Sequence, residues 1–239
     1  MKLGIITDIH NNLIALESVL AELELSCDYI ICSGDIIGIG PFPEETVQRM
    51  MQIKNLIAVR GNHERYLLEG MPDKYPNEEQ MGVEEMKHHL WEHNQLSKAS
   101  IEFLKDLPYS REFEIEGKKI AVLHYAMNTE NRYIRFKFNP NKKKLSHIFD
   151  SVDADIIIFG HEHNRNICKS DKLYINTGSL GCPAKDKNIA RYGILEIAKG
   201  NVNFEAKKLT YNAQTVVDKI DEYNYPAAEE IKKFFFGVQ

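Results

Sequence analysis

Five short groups of polar residues in this 239-residue chain could do chemistry, and each follows an apolar, strand-like run. They are Asp8-Ile9-His10, Gly34-Asp35, Gly61-Asn62-His63-Glu64, His124 and Gly160-His161-Glu162-His163. The last group places two imidazoles on one side of an extended segment, which by itself favours a metal site. The others are ambiguous when taken singly, because Asp8 could cap the following helix and His124 could be a core histidine. Their joint occurrence indicates one shared site.

The residue types in these groups indicate a metal centre. Carboxylates, imidazoles and one amide oxygen, without a thiolate, suit manganese, iron or zinc and argue against a structural zinc site. Three oxygen donors and four histidines are enough for two ions. Two ions about 3.5 to 4 Å apart need a bridging ligand, and a carboxylate suits that position. Asp35 is the candidate bridge.

The helices and strands that must position these groups are predicted to form a single α/β domain over residues 1–239. Apolar runs alternate with helical patterns, which predicts parallel βαβ units. The carboxyl ends of parallel strands share one edge, so residues about 155 positions apart can meet there. We expect a helical insertion at about 64–107, in two pieces separated by residues 70–79. A hairpin turn at Glu116-Gly117 and a helical tail at about 213–239, divided by Pro226, complete the prediction.

Composition restricts the class of protein. The 35 acidic and 30 basic residues give a net charge of −5, which disfavours broad binding to nucleic acid. The apolar runs are far shorter than the roughly 20 residues needed to cross a bilayer, and the strand-like start at Met1 leaves no room for a signal peptide. We therefore expect a cytoplasmic protein without a membrane partner, whose four cysteines are free thiols. The oligomeric state stays open.

The order D-x-H, G-D, G-N-H-E, H and G-H-x-H, over residues 1 to about 200, resembles the calcineurin-like metallophosphoesterase superfamily. The compact length, the DIHNN opening and the NTGSLGCP segment resemble its small prokaryotic phosphodiesterases, including diadenosine polyphosphate hydrolases. The resemblance implies two facing mixed β-sheets flanked by helices. It implies one metal held by Asp8, His10, Asp35 and His163, and another held by Asp35, Asn62, His124 and His161. His63 would protonate the leaving oxygen, with Glu64 orienting it.

The resemblance also implies the reaction. A hydroxide that bridges two divalent ions would attack phosphorus in line. The expected ions are Mn²⁺ or Fe²⁺, and Zn²⁺, Ni²⁺ or Co²⁺ would be tolerated. The expected substrate is a phosphodiester or phosphoanhydride bond of a small nucleotide, such as a dinucleoside polyphosphate. The alternatives are a nuclease and a non-catalytic scaffold. Asn11 and Tyr125 stand where the family usually has Gly, which bears on substrate access.

Substrate contacts are expected from residues 128–137, a polar segment that follows His124. Within this segment, Arg132 and Arg135 could bind the non-reacting phosphates. Tyr133, or Tyr125 shortly before the segment, could stack on a base. Asn12 is a further candidate, and an ordinary solvated loop is the alternative for the segment. The histidines of the insertion, His88, His89 and His93, are expected at the surface or facing substrate, since no carboxylate pattern marks a second metal site there.

Overall fold

The computed structural model describes residues 1–77, 79–183 and 186–237, which form two mixed β-sheets flanked by helices. The strands are β1 (Lys2–Ile6), β2 (Tyr29–Cys32), β3 (Leu56–Ala58), β4 (Ser110–Ile115), β5 (Lys118–Leu123), β6 (Ile156–Ile158), β7 (Asn166–Lys169), β8 (Leu173–Asn176), β9 (Ile189–Ala198) and β10 (Asn201–Thr210). The helices are α1 (Leu13–Ser26), α2 (Pro43–Met51), α3 (Asn62–Glu69), α4 (Val83–His93), α5 (Lys98–Asp106), α6 (Lys142–Ile148), α7 (Ala213–Tyr223) and α8 (Ala228–Ile231), with a π-helical segment at Lys232–Phe236. The predicted fold class is confirmed.

Each sheet has a parallel centre with antiparallel edges. The first sheet has the order β10-β9-β1-β2-β3, in which β1, β2 and β3 are parallel. The second has the order β4-β5-β6-β8-β7, in which β5, β6 and β8 are parallel. The hairpin of β4 and β5 turns at Glu116 and Gly117, both at positive φ, as the sequence predicts. The carboxyl ends of the parallel strands therefore converge at one edge of each sheet.

A layer of aliphatic side chains packs the two sheets face to face. Leu3 and Ile5 on β1 and Ile31 on β2 meet Ile120 and Ile156 of the second sheet, and all five are buried. Ile6, the next residue on β1, faces the opposite way into a second cluster with helix α1. This alternation follows from the two-residue period of a strand. Both faces of the central strand β1 are thus buried.

The helical insertion differs in one respect from the prediction of two pieces. The structure has three helices, α3, α4 and α5, over the predicted range. The additional break follows α4, where the Ser97 hydroxyl accepts a hydrogen bond from Ser100 N at 3.2 Å and caps α5. In the part of the chain described, no helix is both long and apolar enough to cross a membrane.

Candidate metal centre

The five polar groups meet at the carboxyl ends of the parallel strands. Asp8 and His10 follow β1, and Asp35 follows β2. Asn62 and His63 lie in the first turn of α3, directly beyond β3. The second sheet contributes His124 after β5 and His161 and His163 after β6. The structure therefore brings together all seven candidate ligands and His63.

Three of these side chains form a first cluster. His10 Nε2 and His163 Nε2 lie 2.9 Å apart, and Asp8 Oδ1 lies 4.0 Å from the first nitrogen and 3.8 Å from the second. One ligand atom from each residue lies within 4.8 Å of the other two. Asp8 Oδ2 is buried without a hydrogen-bond partner among the described residues. A cation would satisfy this carboxylate, so the donor set fits a divalent metal.

A second cluster forms around Asn62. Its Oδ1 lies 3.0 Å from His124 Nε2 and 2.9 Å from His161 Nδ1. Asp35 Oδ2 lies 3.2 Å from the same His124 nitrogen. Asp35, His124 and His161 each offer a ligand atom within 4.8 Å of the other two. This arrangement also suits a divalent cation, with two imidazoles, a carboxylate and an amide oxygen.

Asp35 stands between the two clusters. The Oδ2 atom that faces His124 at 3.2 Å also lies 3.9 Å from His10 Nε2. Oδ1 points elsewhere and accepts a hydrogen bond from His63 N at 3.1 Å. One carboxylate oxygen therefore faces both clusters, as a bridging ligand must.

Backbone carbonyls orient the imidazoles of both clusters. His124 Nδ1 lies 2.8 Å from Ser33 O, and His163 Nδ1 lies 2.9 Å from Cys182 O. His10 Nδ1 makes the same type of contact with Ile37 O at 3.2 Å. A carbonyl only accepts, so Nδ1 carries the proton and Nε2 presents a lone pair to a metal.

The ligands lie on an unusual backbone. Positive φ is uncommon for residues other than glycine, yet four ligands adopt it: Asp8, His10, Asp35 and His161. Such conformations cost on the order of 1 to 3 kcal/mol each and persist only where the surroundings enforce them. Their concentration in the loops that carry the ligands indicates a functional site.

The electrostatics of the metal-free centre favour an ionised Asp35 and neutral rings of His161 and His10. Burial lowers the pKa of His161 to about 3 and holds the pKa of His10 well below its usual value. Burial raises the pKa of Asp35, but the charges of His124 and His63 outweigh it, so the pKa falls well below its usual range. Burial lowers the pKa of His124, but the nearby Asp35 carboxylate raises it to about 9. His124 is therefore protonated near neutral pH in the metal-free protein, and a metal would displace this proton, because only a neutral imidazole binds a metal.

His63 lies next to the clusters, and one of its ring nitrogens lies within 4.8 Å of a ligand atom of His10 and of Asp35. Its Nε2 is 3.9 Å from Asp35 Oδ2, and its side chain is 13% exposed. Nδ1 is buried without a hydrogen-bond partner among the described residues. Burial lowers the pKa of His63 to about 4, so the free protein carries a neutral ring. An anionic substrate would oppose this effect and favour the protonated form.

Glu64 does not orient His63, which corrects the expectation from the sequence. Its buried carboxylate accepts hydrogen bonds from four backbone N–H groups instead. These belong to Gly61 at 2.6 Å, Asp35 at 3.1 Å, Ile36 at 2.8 Å and Ile37 at 3.0 Å. Burial raises the pKa of Glu64 to about 7, although the N–H groups of Gly61 and Ile37 lower it. Glu64 joins the loop after β2 to the start of α3.

Two of the expected substrate contacts lie in the interior. Asn12 is fully buried, caps α1 through Ala15 N at 3.1 Å, and donates to Gly181 O and Tyr211 OH. Tyr125 is 1% exposed and packs among aromatic rings that include His161. Neither side chain is placed to touch a substrate. Asn12 also takes the capping role that the sequence left open for Asp8.

The segment after His124 lies over the second cluster. Tyr133 and Phe136 place their rings 5.9 and 5.4 Å from the ring of His161. The Tyr133 hydroxyl donates to Arg60 O at 2.9 Å, which anchors the segment. Arg132 lines a cavity of about 440 Å³ together with Arg65 and Tyr66, and Arg135 is exposed. Of the two arginines, only Arg132 has a place in this cavity.

Glu92 on α4 is a residue near the centre that the sequence reasoning missed. It is fully buried, accepts from Asn11 Nδ2 at 2.6 Å and also from Gly38 N. His89, one turn earlier, has its ring 5.0 Å from the ring of His63. The signal was the carboxylate three residues after a histidine on one helix, which puts both on the same face.

Comparisons with known proteins identify the family. The profile of the Calcineurin-like phosphoesterase superfamily domain matches residues 1–200. Uncharacterized protein MJ0912 of Methanocaldococcus jannaschii is 28% identical over 248 aligned positions, covering 94% of this chain and 93% of that protein. A metallophosphoesterase of Sphaerobacter thermophilus has a similar fold, with 23% identity, a TM-score of 0.73 and full coverage of both chains. Hypothetical protein PH1004 of Pyrococcus horikoshii has 17% identity and a TM-score of 0.79, with 100% of this chain and 99% of that chain covered.

The chain belongs to the calcineurin-like phosphoesterase superfamily. Its side chains form Asp/His groups that could hold metal ions at the carboxyl ends of the strands. It is therefore a metal-dependent phosphoric ester hydrolase.

We predict that Asp35→Asn weakens metal binding at both clusters, because the same Asp35 oxygen, Oδ2, faces both of them. The expected loss of affinity is at least about tenfold, which is the loss seen when a group that merely supports a ligand is changed. Metal content after gel filtration measures it, with the exposed Asp150→Asn as control. A variant in which one of two bound ions is unaffected would contradict the bridging assignment.

We predict that Gly61→Ala lowers both metal affinity and turnover. An added Cβ would overlap Asp35 Oδ1 and lie 2.7 Å from Asp35 N, so the Asp35 carboxylate must shift. Overpacking of this kind typically costs about 1 to 3 kcal/mol of stability. Gly82→Ala is the matched control, because its Cβ would enter open space. Equal metal affinity in the two variants would show that the position of Asp35 tolerates the change.

Proposed function

We propose that the chain is a two-metal hydrolase of the phosphodiester or phosphoanhydride bond of a small nucleotide, with a dinucleoside polyphosphate as the model substrate. The observation that carries this proposal is the Asp35 Oδ2 atom, which lies 3.2 Å from His124 Nε2 in one cluster and 3.9 Å from His10 Nε2 in the other. The mixed oxygen and nitrogen donor set, which has no thiolate, suits Mn²⁺ or Fe²⁺, and Zn²⁺, Ni²⁺ and Co²⁺ also suit it.

Two divalent ions in these clusters would lower the pKa of a bound water and neutralise the charge of the phosphoryl group. The remaining work falls to the side chains of the chain itself. Asp35 fixes the spacing between the two clusters. His63, partly exposed beside Asp35, would take up a proton as the anionic substrate binds and deliver it to the leaving oxygen. The complete ligand set and His63 support an enzyme over a non-catalytic scaffold.

The surroundings of the centre support a small substrate with an aromatic group. Tyr66 stands beside His63 with ring centroids 5.8 Å apart, and Phe235 stands beside His163 at 6.1 Å. Rings of this kind can stack on a base. The net charge of −5 disfavours a long polyanion such as single-stranded DNA.

A substrate panel with added Mn²⁺ tests the proposed function. It compares a dinucleoside polyphosphate, a bis-aryl phosphodiester, a phosphomonoester and single-stranded DNA by kcat/KM. We expect the dinucleoside polyphosphate to rank first. Preference for DNA would favour the nuclease alternative, and preference for the monoester would overturn the assignment of the bond type.

We predict that His63→Gln retains the full metal content but lowers kcat by about 10² to 10⁴, the usual contribution of a general acid. The loss should be smaller for a nitrophenyl leaving group, which departs without a proton. Metal analysis and kcat on the two classes of leaving group measure these effects. Loss of metal from the variant would make His63 a ligand, and equal losses for both leaving groups would remove its role as the acid.

We predict that replacing Arg132 and Arg135 together with Ala raises KM for a dinucleoside polyphosphate far more than for a bis-aryl phosphodiester. The smaller substrate lacks the distal phosphates that the guanidinium groups would bind. The single variants separate the two residues, and we expect Arg132 to dominate because it lines the cavity beside Tyr66. Lys142→Ala with Lys143→Ala removes the same charge from α6, at a different cavity. Equal KM changes for both substrates would exclude the segment as the selectivity element.

A further inference from the structure

Helix α4 carries a further group of side chains of the types that bind metals. It is separate from the two clusters described above, which together are called the Asp/His centre. His89, Glu92 and His93 are spaced i, i+3 and i+4, which places them on one face of the helix. One ligand atom from each lies within 4.8 Å of the other two. His89 and Glu92 are buried and His93 is half-buried. The expectation that no carboxylate accompanies these histidines is wrong, because Glu92 supplies one.

The two oxygens of Glu92 have different surroundings. Oε1 accepts hydrogen bonds from Asn11 Nδ2 and Gly38 N. Oε2 faces His89 Nδ1 at 3.3 Å. That separation is long for a charge-assisted hydrogen bond, which is usually about 2.7 to 2.9 Å. It equals the roughly 3.3 Å between two ligand atoms of a tetrahedral ion whose bonds are about 2.0 to 2.1 Å. Oε2 is thus available as a monodentate ligand while Oε1 holds the loops.

His93 provides an independent observation. Its Nε2 is buried, and no hydrogen-bond partner for it occurs among residues 1–77, 79–183 and 186–237. A buried polar atom without a partner costs about 1 to 3 kcal/mol. The ion-pair partner of the buried Glu92 carboxylate is an imidazole, His89. A divalent cation would satisfy the orphan nitrogen and neutralise the carboxylate at once.

We propose that His89, Glu92 and His93 form a further metal site that binds a borderline transition ion such as Zn²⁺. Two imidazoles and one carboxylate suit this class of ion better than Mg²⁺ or Ca²⁺, which prefer oxygen donors. His93 also lines a cavity of about 540 Å³ with Tyr66 and Leu90, which leaves room for a water to complete the coordination. An ion here would fix α4 to the loops after β1 and β2, through the Oε1 contacts of Glu92.

Counting bound ions in matched variants tests this site. Protein stripped with chelator is loaded with Zn²⁺, passed through gel filtration and analysed for metal, for the unaltered chain, His93→Ala and His147→Ala. His147 is an exposed histidine on α6 that belongs to none of the metal-ligand groups found among the described residues, so it controls for surface binding. We expect His93→Ala to hold one ion fewer than the unaltered chain and His147→Ala to hold the same number. Equal counts in the unaltered chain and His93→Ala would overturn the site.

The difference between these counts does not depend on how many ions the Asp/His centre holds, because His93→Ala leaves that centre intact. Adding Asp35→Asn should lower the number of bound ions further, both in the unaltered chain and in His93→Ala. Failure of the proposed two-metal centre can therefore be told apart from failure of the proposed site on α4. Glu92→Gln keeps an acceptor for Asn11 and Gly38 but removes the charge, and we expect it also to lose one ion. Diffraction at the zinc edge should show an anomalous peak between His89, Glu92 and His93. Its absence from zinc-loaded crystals would also refute the assignment.

Discussion

The carboxylate of Glu64 is the interaction on which the geometry of the metal centre depends. It accepts hydrogen bonds from Asp35 N, Ile36 N and Ile37 N in one loop and from Gly61 N at the start of α3. These donors belong to two chain segments that carry different ligands. A single buried acceptor therefore fixes Asp35 relative to Asn62 and His63. Because each N–H would otherwise be buried unpaired, these hydrogen bonds favour this conformation of the loop after β2.

The two sheets are joined at the same place. Asp8, which follows β1 of the first sheet, accepts from His161 N of the second sheet at 3.0 Å. In the other direction, His124 Nδ1 of the second sheet lies 2.8 Å from Ser33 O of the first. Gly160 allows this approach, since a Cβ there would overlap Thr7 Oγ1. The ligands of each cluster thus come from both sheets, and their positive-φ conformations are enforced by packing from two sides.

Much of this arrangement could be predicted from sequence, because the residue pattern of the strands and the geometry of a parallel sheet lead to the same site. Apolar runs ending at polar groups predict strands, and parallel strands place those groups at one edge. The role of Glu64 could be predicted only in part. A Glu three residues after the N-cap residue is a known capping pattern, which covers the contact with Gly61 N, but acceptance from Asp35, Ile36 and Ile37 leaves no pattern in the residue types. Asn12 and Tyr125 were misjudged for a related reason. Sequence position beside a ligand does not tell whether a side chain turns toward solvent or toward the core.

The elements around the centre come from outside the strands, and they support the loop that carries Asp35. Trp91 on α4 stacks on Tyr225 of the tail, with ring centroids 4.3 Å apart. The Tyr225 hydroxyl donates to Ile39 O at 2.9 Å, in the loop that also carries Gly38. The insertion and the tail therefore brace each other and the loop after β2. Changes in these elements would therefore act on the loop that carries Asp35 as well as on access to the centre.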